Sequence, residues 1–379
     1  MNSYVKLDNF LTEYTERNTD NQYKPVAVGR YGIRTRESIY SKELAKDYSK
    51  NKVIGNNTLT VGMGSVQIDI GILTEDVKYS VSPAYHTYKI AGINPDYLRY
   101  CLECRNQDMF ERYVKRGSRQ GKTIDLGRWL TYEIPVFEAQ EQKEIVSKLD
   151  HVDSLITARR EQLAKLDELV KSRFIEMFGD PIANEKGWSM YPLERVCKTI
   201  VDCPHSTPNY TTEDTGYMCI RTSIVKKNCI LWDEIEYISQ EEYNQRIQRK
   251  RPEKGDVVYT REGAILGIAA MIDRDCNVAL GQRSMLLSPN TDQCLPQFLS
   301  VAMNFESFLM KALGGISGSA SPHINVGDIK SFAIILPPIE LQKRFAAFNE
   351  QVDKSKFEIQ KSLEKLENLK KALMQKYFG

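Results

Sequence analysis

Two stretches of this chain repeat each other. Residues 134–179 read IPVFEAQEQKEIVSKLDHVDSLITARREQLAKLDELVKSRFIEMFG, and residues 334–379 read IILPPIELQKRFAAFNEQVDKSKFEIQKSLEKLENLKKALMQKYFG. They align without a gap, and the shared residues include Gln142/Gln342, Lys143/Lys343, Val152/Val352, Asp153/Asp353, Leu163/Leu363, Leu166/Leu366, Leu169/Leu369, Phe178/Phe378 and Gly179/Gly379. A long repeat fixes architecture before any local motif does. It predicts two halves, each a globular region followed by one long helix.

Both copies carry apolar residues in a 4-3 alternation, which is typical of a coiled-coil seam. The seam positions we single out are Ile145, Leu149, Val152, Leu163 and Leu166 in the first copy, and Val352, Ile359, Leu363, Leu366 and Leu373 in the second. The second seam is more polar, because it also holds Asn349, Lys356 and Lys370. Each helix of roughly 40 residues would be about 60 Å long and would stop at a Phe-Gly pair.

Each helix alone could be a solvated spacer or a homodimer zipper, but the duplication favours pairing of the two helices within one chain. Antiparallel pairing lets residues 180–333 fold beside the junction of the helices, whereas parallel pairing would force that region back along the whole rod. The expected fold is mixed α/β, with two globular domains joined by two antiparallel coiled-coil helices in pseudo-two-fold symmetry. The expected boundaries are 1–133, 134–180, 181–333 and 334–379.

Composition restricts the function. The 379 residues carry a net charge of only +2, so any nucleic-acid contact must come from local basic clusters. The chain shows no signal peptide and no run of 18 apolar residues, which predicts a cytoplasmic protein without a membrane segment. Its eight cysteines are expected to be reduced and structural, since Cys101-x-x-Cys104 is half of a zinc motif.

The two globular regions correspond in outline. Residues 28–36 match 217–223, residues 53–71 match 255–267, and residues 117–127 match 317–327, while the loops between them differ. Such a pattern is expected of two modules that share a scaffold and bind different targets.

Basic residues recur at these matched positions. Each cluster could be a solvated face, but Arg can bond base edges and Lys meets phosphate. The predicted DNA-binding residues are Arg30, Arg34, Arg36, Lys115, Arg116, Arg119 and Lys122 in the first region, and Arg221, Lys226, Lys227, Arg261, Ser319 and His323 in the second.

No motif for catalysis is complete. Gly117-Ser-Arg-Gln-Gly-Lys-Thr123 is one residue short of a P-loop and follows a helical stretch at residues 97–114, so a basic loop is favoured. Asn94-Pro-Asp-Tyr97 fits a helix start, with Asn94 as cap, better than a methyltransferase loop. With four histidines and no acid–base set, we expect a chain without catalytic residues, cofactor or metal.

The layout resembles the specificity (S) subunit of type I restriction-modification systems across the whole chain. The motifs that carry the resemblance are Pro337-Pro-Ile-Glu-Leu-Gln-Lys343, residues 142–150, Phe174-Ile-Glu-Met-Phe-Gly-Asp-Pro181, and Gly187-Trp188 with Pro192-Leu193. In the first copy, Phe137-Glu138 departs from the Pro-Pro of the second, which bears on the angle at which the first helix begins.

The resemblance implies two target recognition domains, each reading half of a bipartite site in double-stranded DNA. It implies that the helices set the spacing and dock two modification (methyltransferase) subunits, with restriction (endonuclease) subunits in the full complex. The alternatives are a coiled-coil adaptor that binds no nucleic acid, and a stand-alone DNA methyltransferase or nuclease.

Overall fold

The computed structural model describes residues 3–30, 32–39, 47–117, 121–263, 265–314 and 323–379. They form two compact units. Unit 1 comprises residues 1–160 and 360–379, and unit 2 comprises residues 161–359. Both long helices therefore contribute one segment to each unit. No helix among the described residues is long and apolar enough to cross a membrane.

The helices and strands alternate along the chain. Up to the end of the first long helix they are β1 (Ser3–Lys6), β2 (Leu11–Glu13), β3 (Val26–Gly29), β4 (Gly32–Thr35), β5 (Lys52–Ile54), β6 (Thr58–Met63), β7 (Ile68–Leu73), β8 (Tyr79–Val81), β9 (His86–Ile90), α1 (Pro95–Cys104), α2 (Asn106–Tyr113), β10 (Val114–Gly117), β11 (Gly121–Ile124), α3 (Leu126–Trp129), β12 (Glu133–Val136) and α4 (Ala139–Phe178).

The second half repeats this order in part. Its elements are β13 (Met190–Pro192), α5 (Leu193–Val196), β14 (Cys197–Asp202), β15 (Met218–Ile220), β16 (Val225–Lys226), β17 (Cys229–Ile230), β18 (Glu236–Tyr237), α6 (Gln240–Arg246), β19 (Val257–Thr260), β20 (Ala269–Met271), β21 (Val278–Leu280), β22 (Ser284–Pro289), α7 (Pro296–Met303), α8 (Glu306–Leu313), α9 (Val326–Ser331), β23 (Ala333–Ile335) and α10 (Ile339–Phe378).

Each unit is built on a four-stranded antiparallel sheet. The strand order is β2-β9-β6-β7 in unit 1 and β14-β22-β19-β20 in unit 2. The same order in both sheets confirms that two copies of one scaffold are present. Smaller sheets differ: β3 and β4 form a hairpin in unit 1, whereas β15 in unit 2 lies between β18 and β21. The matched residues 28–36 and 217–223 therefore do not share a strand topology.

The long helices run antiparallel, as predicted. In unit 1 the end of α10 lies against the start of α4, because Phe378 and Leu373 share a core with Ile145 and Leu149. In unit 2 the end of α4 lies against the start of α10, where Phe174 and Phe178 each lie 5.5 Å, ring centre to ring centre, from Phe345. Each helix has 40 residues, and α4 stops at Gly179, whose φ of +77° favours glycine.

The predicted seam positions differ in how deeply they are buried. Five are buried, namely Ile145, Leu149, Val152, Val352 and Leu363. The remaining five are half-buried, namely Leu163, Leu166, Ile359, Leu366 and Leu373. Two paired helices cover only part of each other, so some seam positions keep contact with solvent.

A buried glutamine joins each long helix to its globular region. The Gln142 side chain accepts a hydrogen bond from the Asn94 amide at 3.0 Å and donates to the Phe137 carbonyl at 2.8 Å. Gln342 accepts from the Leu295 amide at 2.9 Å and donates to the Pro337 carbonyl at 2.8 Å. Because Phe137 and Pro337 serve as equivalent acceptors, the Phe137-Glu138 departure preserves this hydrogen bond.

Candidate nucleic-acid interface

In unit 2, two predicted residues meet at the end of the sheet where β19 leads into β20. His323 forms an isolated bridge with Glu262, and the Ile324 amide donates to the Arg261 carbonyl at 2.9 Å. The segment that begins at His323 is thereby held to the β19–β20 turn. Ser319 lies outside the described residues.

Arg261 is engaged inside the unit. Its Nε lies 2.9 Å from Asp202 Oδ1, its Nη2 lies 2.8 Å from Glu262 Oε1, and its side chain is 8% exposed. A buried ion pair is costly to break from one side. The sequence interpretation gave Arg261 a direct DNA contact, but in this geometry its guanidinium positions the β19–β20 turn and does not face solvent.

Arg221 and the two lysines occupy other places in unit 2. The Arg221 guanidinium lies 3.1 Å from Glu236 and 5.3 Å from the centre of the Tyr210 ring, with the side chain 36% exposed. Lys226 and Lys227 are exposed at the β16–β17 turn, where Lys226 Nζ donates to the Ser223 carbonyl at 2.7 Å. This hairpin packs beside β20, where the Asn228 amide donates to the Ala269 carbonyl at 2.9 Å.

Unit 1 brings a basic hairpin to the matching sheet end. Strands β10 and β11 pair from Val114–Ile124 to Gly117–Gly121. Lys122 Nζ donates to the Ser65 carbonyl in the β6–β7 turn and lies 5.1 Å from the centre of the Phe110 ring. Thus Lys122 and His323, which belong to segments matched by sequence, are both held at the turn that follows the equivalent central strand, β6 or β19.

The remaining residues of this hairpin are less completely placed. Lys115 is exposed, and its Nζ lies 2.7 Å from Asp125 Oδ2. Arg116 belongs to β10, and Arg119 lies outside the described residues. The premise that Gly117 follows a helix was wrong, because α2 ends at Tyr113 and Gly117 ends a strand. The hairpin still lacks the strand–loop–helix order of a P-loop.

The arginines of the β3–β4 hairpin lie over β7. Arg30 is in the turn and Arg34 in β4, both exposed, and the Arg36 guanidinium lies 5.3 Å from the centre of the Tyr48 ring. The hairpin approaches β7 closely at Gly71, where a Cβ atom would lie 2.6 Å from Ile33 Cγ1. Glycine is therefore required for this packing.

A groove of about 750 Å³ separates this hairpin from helices α1 and α2. Arg30 and Arg34 line one side, while Arg99 and Asn106 line the other. The Asn106 side chain bonds both the amide and the carbonyl of Ile68 on the outer edge of β7, at 3.0 and 2.9 Å. The carboxylates of Glu75 and Glu103 also line the groove, so its charges are mixed.

The sequence interpretation missed Arg283, which lies in the turn between β21 and β22. Its backbone has a φ of +72°, its side chain is exposed, and its carbonyl accepts from the Arg261 amide at 3.0 Å. The signal that could have found it is Gly281-Gln282-Arg283 between two short apolar strands, which predicts a turn. This turn meets the β19–β20 turn because β22 pairs with β19, and the sequence alone does not predict that pairing.

Among the described residues, no group of three or more His, Cys, Asp or Glu side chains is placed to hold a metal ion. Asn94 caps α1 as predicted, accepting from the Tyr97 amide at 3.0 Å. Cys101 and Cys104 are both on α1, and burial raises the pKa of the Cys101 thiol to about 12, so it stays protonated at neutral pH.

Comparison with known proteins gives consistent results. The Type I restriction enzyme MjaVIII specificity subunit of Methanocaldococcus jannaschii is 23% identical over 258 residues, or 62% of this chain and 60% of that protein. The putative MjaX specificity subunit of the same organism is 22% identical over 303 residues, or 73% of this chain and 67% of that protein. The chain thus spans about two thirds or less of the length of these relatives.

Two solved structures share the fold. The type I restriction-modification system S subunit from M. genitalium superposes with a TM-score of 0.59 at 12% identity, covering 100% of this chain and 96% of that one. A chain from a structure described as showing complex assembly and conformational transition of the type I R-M system gives a TM-score of 0.53 at 20% identity, covering 99% and 97%. The family model of the type I restriction modification DNA specificity domain matches residues 5–168 and again residues 185–371. The chain therefore belongs to the type I restriction-modification DNA specificity family and carries two copies of its domain.

Proposed function

We propose that this chain is the DNA-recognition subunit of a type I restriction-modification complex. Residues 1–133 and 181–333 each read one half of a bipartite site in duplex DNA. The observation that supports this most strongly is the repeated contact at the sheet end, Lys122 with Ser65 in unit 1 and His323 with Glu262 in unit 2. Two different sequences are presented by one scaffold, as two readers of different half-sites require.

The helical segments 134–180 and 334–379 set the spacing between half-sites and dock the partners. Leu169 is 46% exposed and its repeat counterpart Leu369 is 47% exposed. Tyr4 and Met190, which pair with the equivalent residues Pro135 and Ile335, are also exposed. Apolar residues exposed at matched positions suit two copies of one protein partner. We assign these positions to two modification subunits, with restriction subunits joining in the full complex.

The chain itself supplies no catalytic group and requires no cofactor in this proposal. The complex that it directs works in the cytoplasm. A coiled-coil adaptor without DNA affinity, or a stand-alone methyltransferase or nuclease, gains no support from a particular side chain in the described part of the chain.

The test is duplex binding by the chain assembled with its modification subunits, measured over a range of salt concentrations. Local Lys and Arg contacts release counterions, so affinity should fall steeply with salt. Changing Lys115 and Lys122 to Ala should weaken binding to all sequences similarly and lower the slope by about one for each lost phosphate contact. Lys165→Ala, an exposed lysine of α4, is the matched control and should leave the slope unchanged.

If duplex binding did not depend on salt, or if no duplex binding were measured, DNA recognition would be excluded. The coiled-coil adaptor would then be the remaining function.

The role of the helices in spacing has a separate test. Insertion of one heptad into each helix, after Arg160 and after Ile359, leaves each unit's residues intact. It adds about 10 Å of helix, or about three base pairs of duplex. The gap between half-sites should widen while both half-sites stay the same.

A further inference from the structure

Arg283 adopts a backbone conformation that arginine disfavours. Five non-glycine residues in the described ranges have a positive φ, and the other four are asparagines: Asn21, Asn57, Asn184 and Asn228. Asparagine tolerates the left-handed region, whereas a long side chain there is uncommon and costs energy. Backbone strain of this kind clusters at functional sites, which points to a role for the Arg283 side chain.

The surrounding backbone, and not the Arg283 side chain, fixes this conformation. The Arg283 carbonyl accepts from the Arg261 amide at 3.0 Å. The Ser284 amide donates to the Cys203 sulfur at 3.3 Å, and the Cys203 amide donates to the Ser284 carbonyl at 3.1 Å. Glycine would satisfy the same bonds with less strain. The arginine side chain is therefore not needed to form the turn.

The Arg283 side chain is exposed and lies at the same end of the sheet as His323. It passes over Gly263, where a Cβ atom would lie 3.5 Å from Arg283 Nη1. The nearby carboxylates of Asp202 and Glu262 are both bound to Arg261. Within the described ranges, no hydrogen bond or ion pair engages the Arg283 guanidinium, in contrast to Arg221 and its Glu236 partner.

We propose that Arg283 reads a guanine in the half-site recognised by unit 2, donating in parallel to guanine O6 and N7. This inference rests on the proposed function. The planar guanidinium carries two donors at the spacing that the guanine edge requires, and a fixed turn reduces the entropy lost on binding. Arg261 orients the turn through its amide and its ion pair with Asp202. Arg261 therefore supports the turn, while Arg283 contacts the base.

The test compares Arg283→Gly, Arg283→Lys and Arg283→Ala in the complex with modification subunits, using a pool of duplexes randomised in the second half-site. Arg283→Gly keeps the left-handed backbone, so its unfolding temperature should be equal or higher. It should nevertheless lose discrimination at one base position by about 5-fold to 150-fold, the range of one bidentate contact. Arg283→Lys should lose the same discrimination while keeping the salt dependence.

A second probe isolates the atom that is read. Replacing the guanine with 7-deazaguanine removes N7 and should weaken the wild-type complex but not Arg283→Gly. Arg274→Ala, an exposed arginine in contact with Asp273, is the matched control and should change neither result.

Each outcome decides a separate point. If the wild-type complex shows no salt-sensitive duplex binding, the proposed function fails. If it binds and the Arg283 variants retain full base discrimination, only the assignment of Arg283 fails. Equal weakening on all sequences would identify a phosphate contact and overturn base reading. A large drop in the unfolding temperature of Arg283→Gly would show that the side chain supports the fold instead.

Discussion

Lys370 on α10 binds Asp153 on α4, with Nζ 2.9 Å from Asp153 Oδ1. The same ammonium lies 3.5 Å from Glu103 on α1. Unit 2 has the same arrangement, with the lysine on α10 and the aspartate on α4: Lys356 Nζ lies 2.6 Å from Asp167 Oδ1. The repeat aligns Lys370 with Val170 and Lys356 with Ile156, so α10 carries a lysine where α4 carries an aliphatic side chain. Two copies of α4 paired together would leave these aspartates without a cation.

Charge reversal at this pair should weaken helix pairing in unit 1. Lys370→Glu places two carboxylates together, and Asp153→Lys in the same chain should recover part of the lost stability. The side chains are 23% and 34% exposed, so we expect a coupling of about 1 kcal/mol from a double-mutant cycle of unfolding free energies. Glu103 also lies beside residue 370 and repels the new carboxylate, which limits the recovery.

The matched control is the pair Arg160 and Glu367 on the same two helices. Its atoms lie 2.7 Å apart, but the side chains are 64% and 39% exposed. The same cycle should therefore give only a few tenths of a kcal/mol. Equal coupling at both pairs would contradict the expectation that the less exposed pair contributes more to helix pairing.

Gln342→Ala should destabilise unit 2 strongly. The Gln342 side chain is fully buried and bonds the Leu295 amide and the carbonyls of Gln293 and Pro337. Truncation leaves these groups unpaired, and we expect a loss of about 2–4 kcal/mol. Thermal unfolding measures it. Gln140→Ala is the control and should cost less than about 0.5 kcal/mol, because Gln140 is exposed and its side-chain amide donates to Glu144 Oε1 at 3.4 Å.

The repeat predicted the long helices well because their signal is local and periodic. The order of strands in each sheet was not predicted, since β2 pairs with β9 across more than 70 residues and each strand is only three to six residues long. A short run of apolar residues indicates that a strand is present, but it does not indicate which other strand pairs with it.

The DNA-binding role of the candidate residues stays a prediction, and the structure shows only where they lie. Matched segments and charge patterns singled out Lys122 and His323, which the fold holds at matched turns. They misplaced Arg261, because its partner Asp202 lies 59 residues earlier in the chain and burial cannot be inferred from charge. Charge patterns did not single out Arg283. Its left-handed backbone is held by the bond between its carbonyl and the Arg261 amide, and by the bond between the Ser284 amide and Cys203. These residues come together only in the folded chain.

Unit 1 should lose stability in mild acid through His86. Burial, and then the charge of Lys52, hold the pKa of His86 below its ordinary value. The unfolded chain takes up the proton near pH 6.5, whereas the folded chain takes it up only at lower pH. The contribution of His86 to the free energy of unfolding is therefore fully present above pH 6.5, and it declines as the pH falls below 6.5.

The measurement is the unfolding temperature at pH 7.5 and pH 5.5. His86→Gln cannot take up the proton and should show a smaller decrease than the wild type. His151→Gln, at an exposed position on α4, should decrease as the wild type does. Identical decreases in all three proteins would rule out a contribution from His86.

Gly71→Ala should displace the β3–β4 hairpin. The added Cβ would lie 2.6 Å from Ile33 Cγ1 and 2.9 Å from Val28 Cγ1, so the hairpin that carries Arg30 and Arg34 must move. Overpacking of this kind costs about 1–3 kcal/mol. In the complex, duplex affinity should fall as well. Gly127→Ala is the control, because nothing lies within 4 Å of its Cβ position; an unchanged Gly71→Ala protein would disprove the close packing.

Exchange of one globular region should rewrite one half of the DNA site. Replacing residues 181–333 with the matching region of another specificity chain leaves residues 1–133 and both helices unchanged. The graft must keep an aromatic residue at Phe298, which lies 5.5 Å from Phe174, ring centre to ring centre, and 5.0 Å from Phe178. It must also keep the loop that bonds Gln342 at Gln293 and Leu295.

Methylome sequencing of cells that carry the hybrid and its modification subunits measures the result. The bases of one half-site should change to those of the donor chain, and the other half-site should persist, because the β10–β11 hairpin and its contact with Ser65 are untouched. A hybrid with Phe298→Ala serves as the control, since it removes the contacts with Phe174 and Phe178 and should lose activity through stability alone. If the intact hybrid altered both half-sites at once, the two regions could not be independent readers, and the duplicated contacts at the sheet ends would need another explanation.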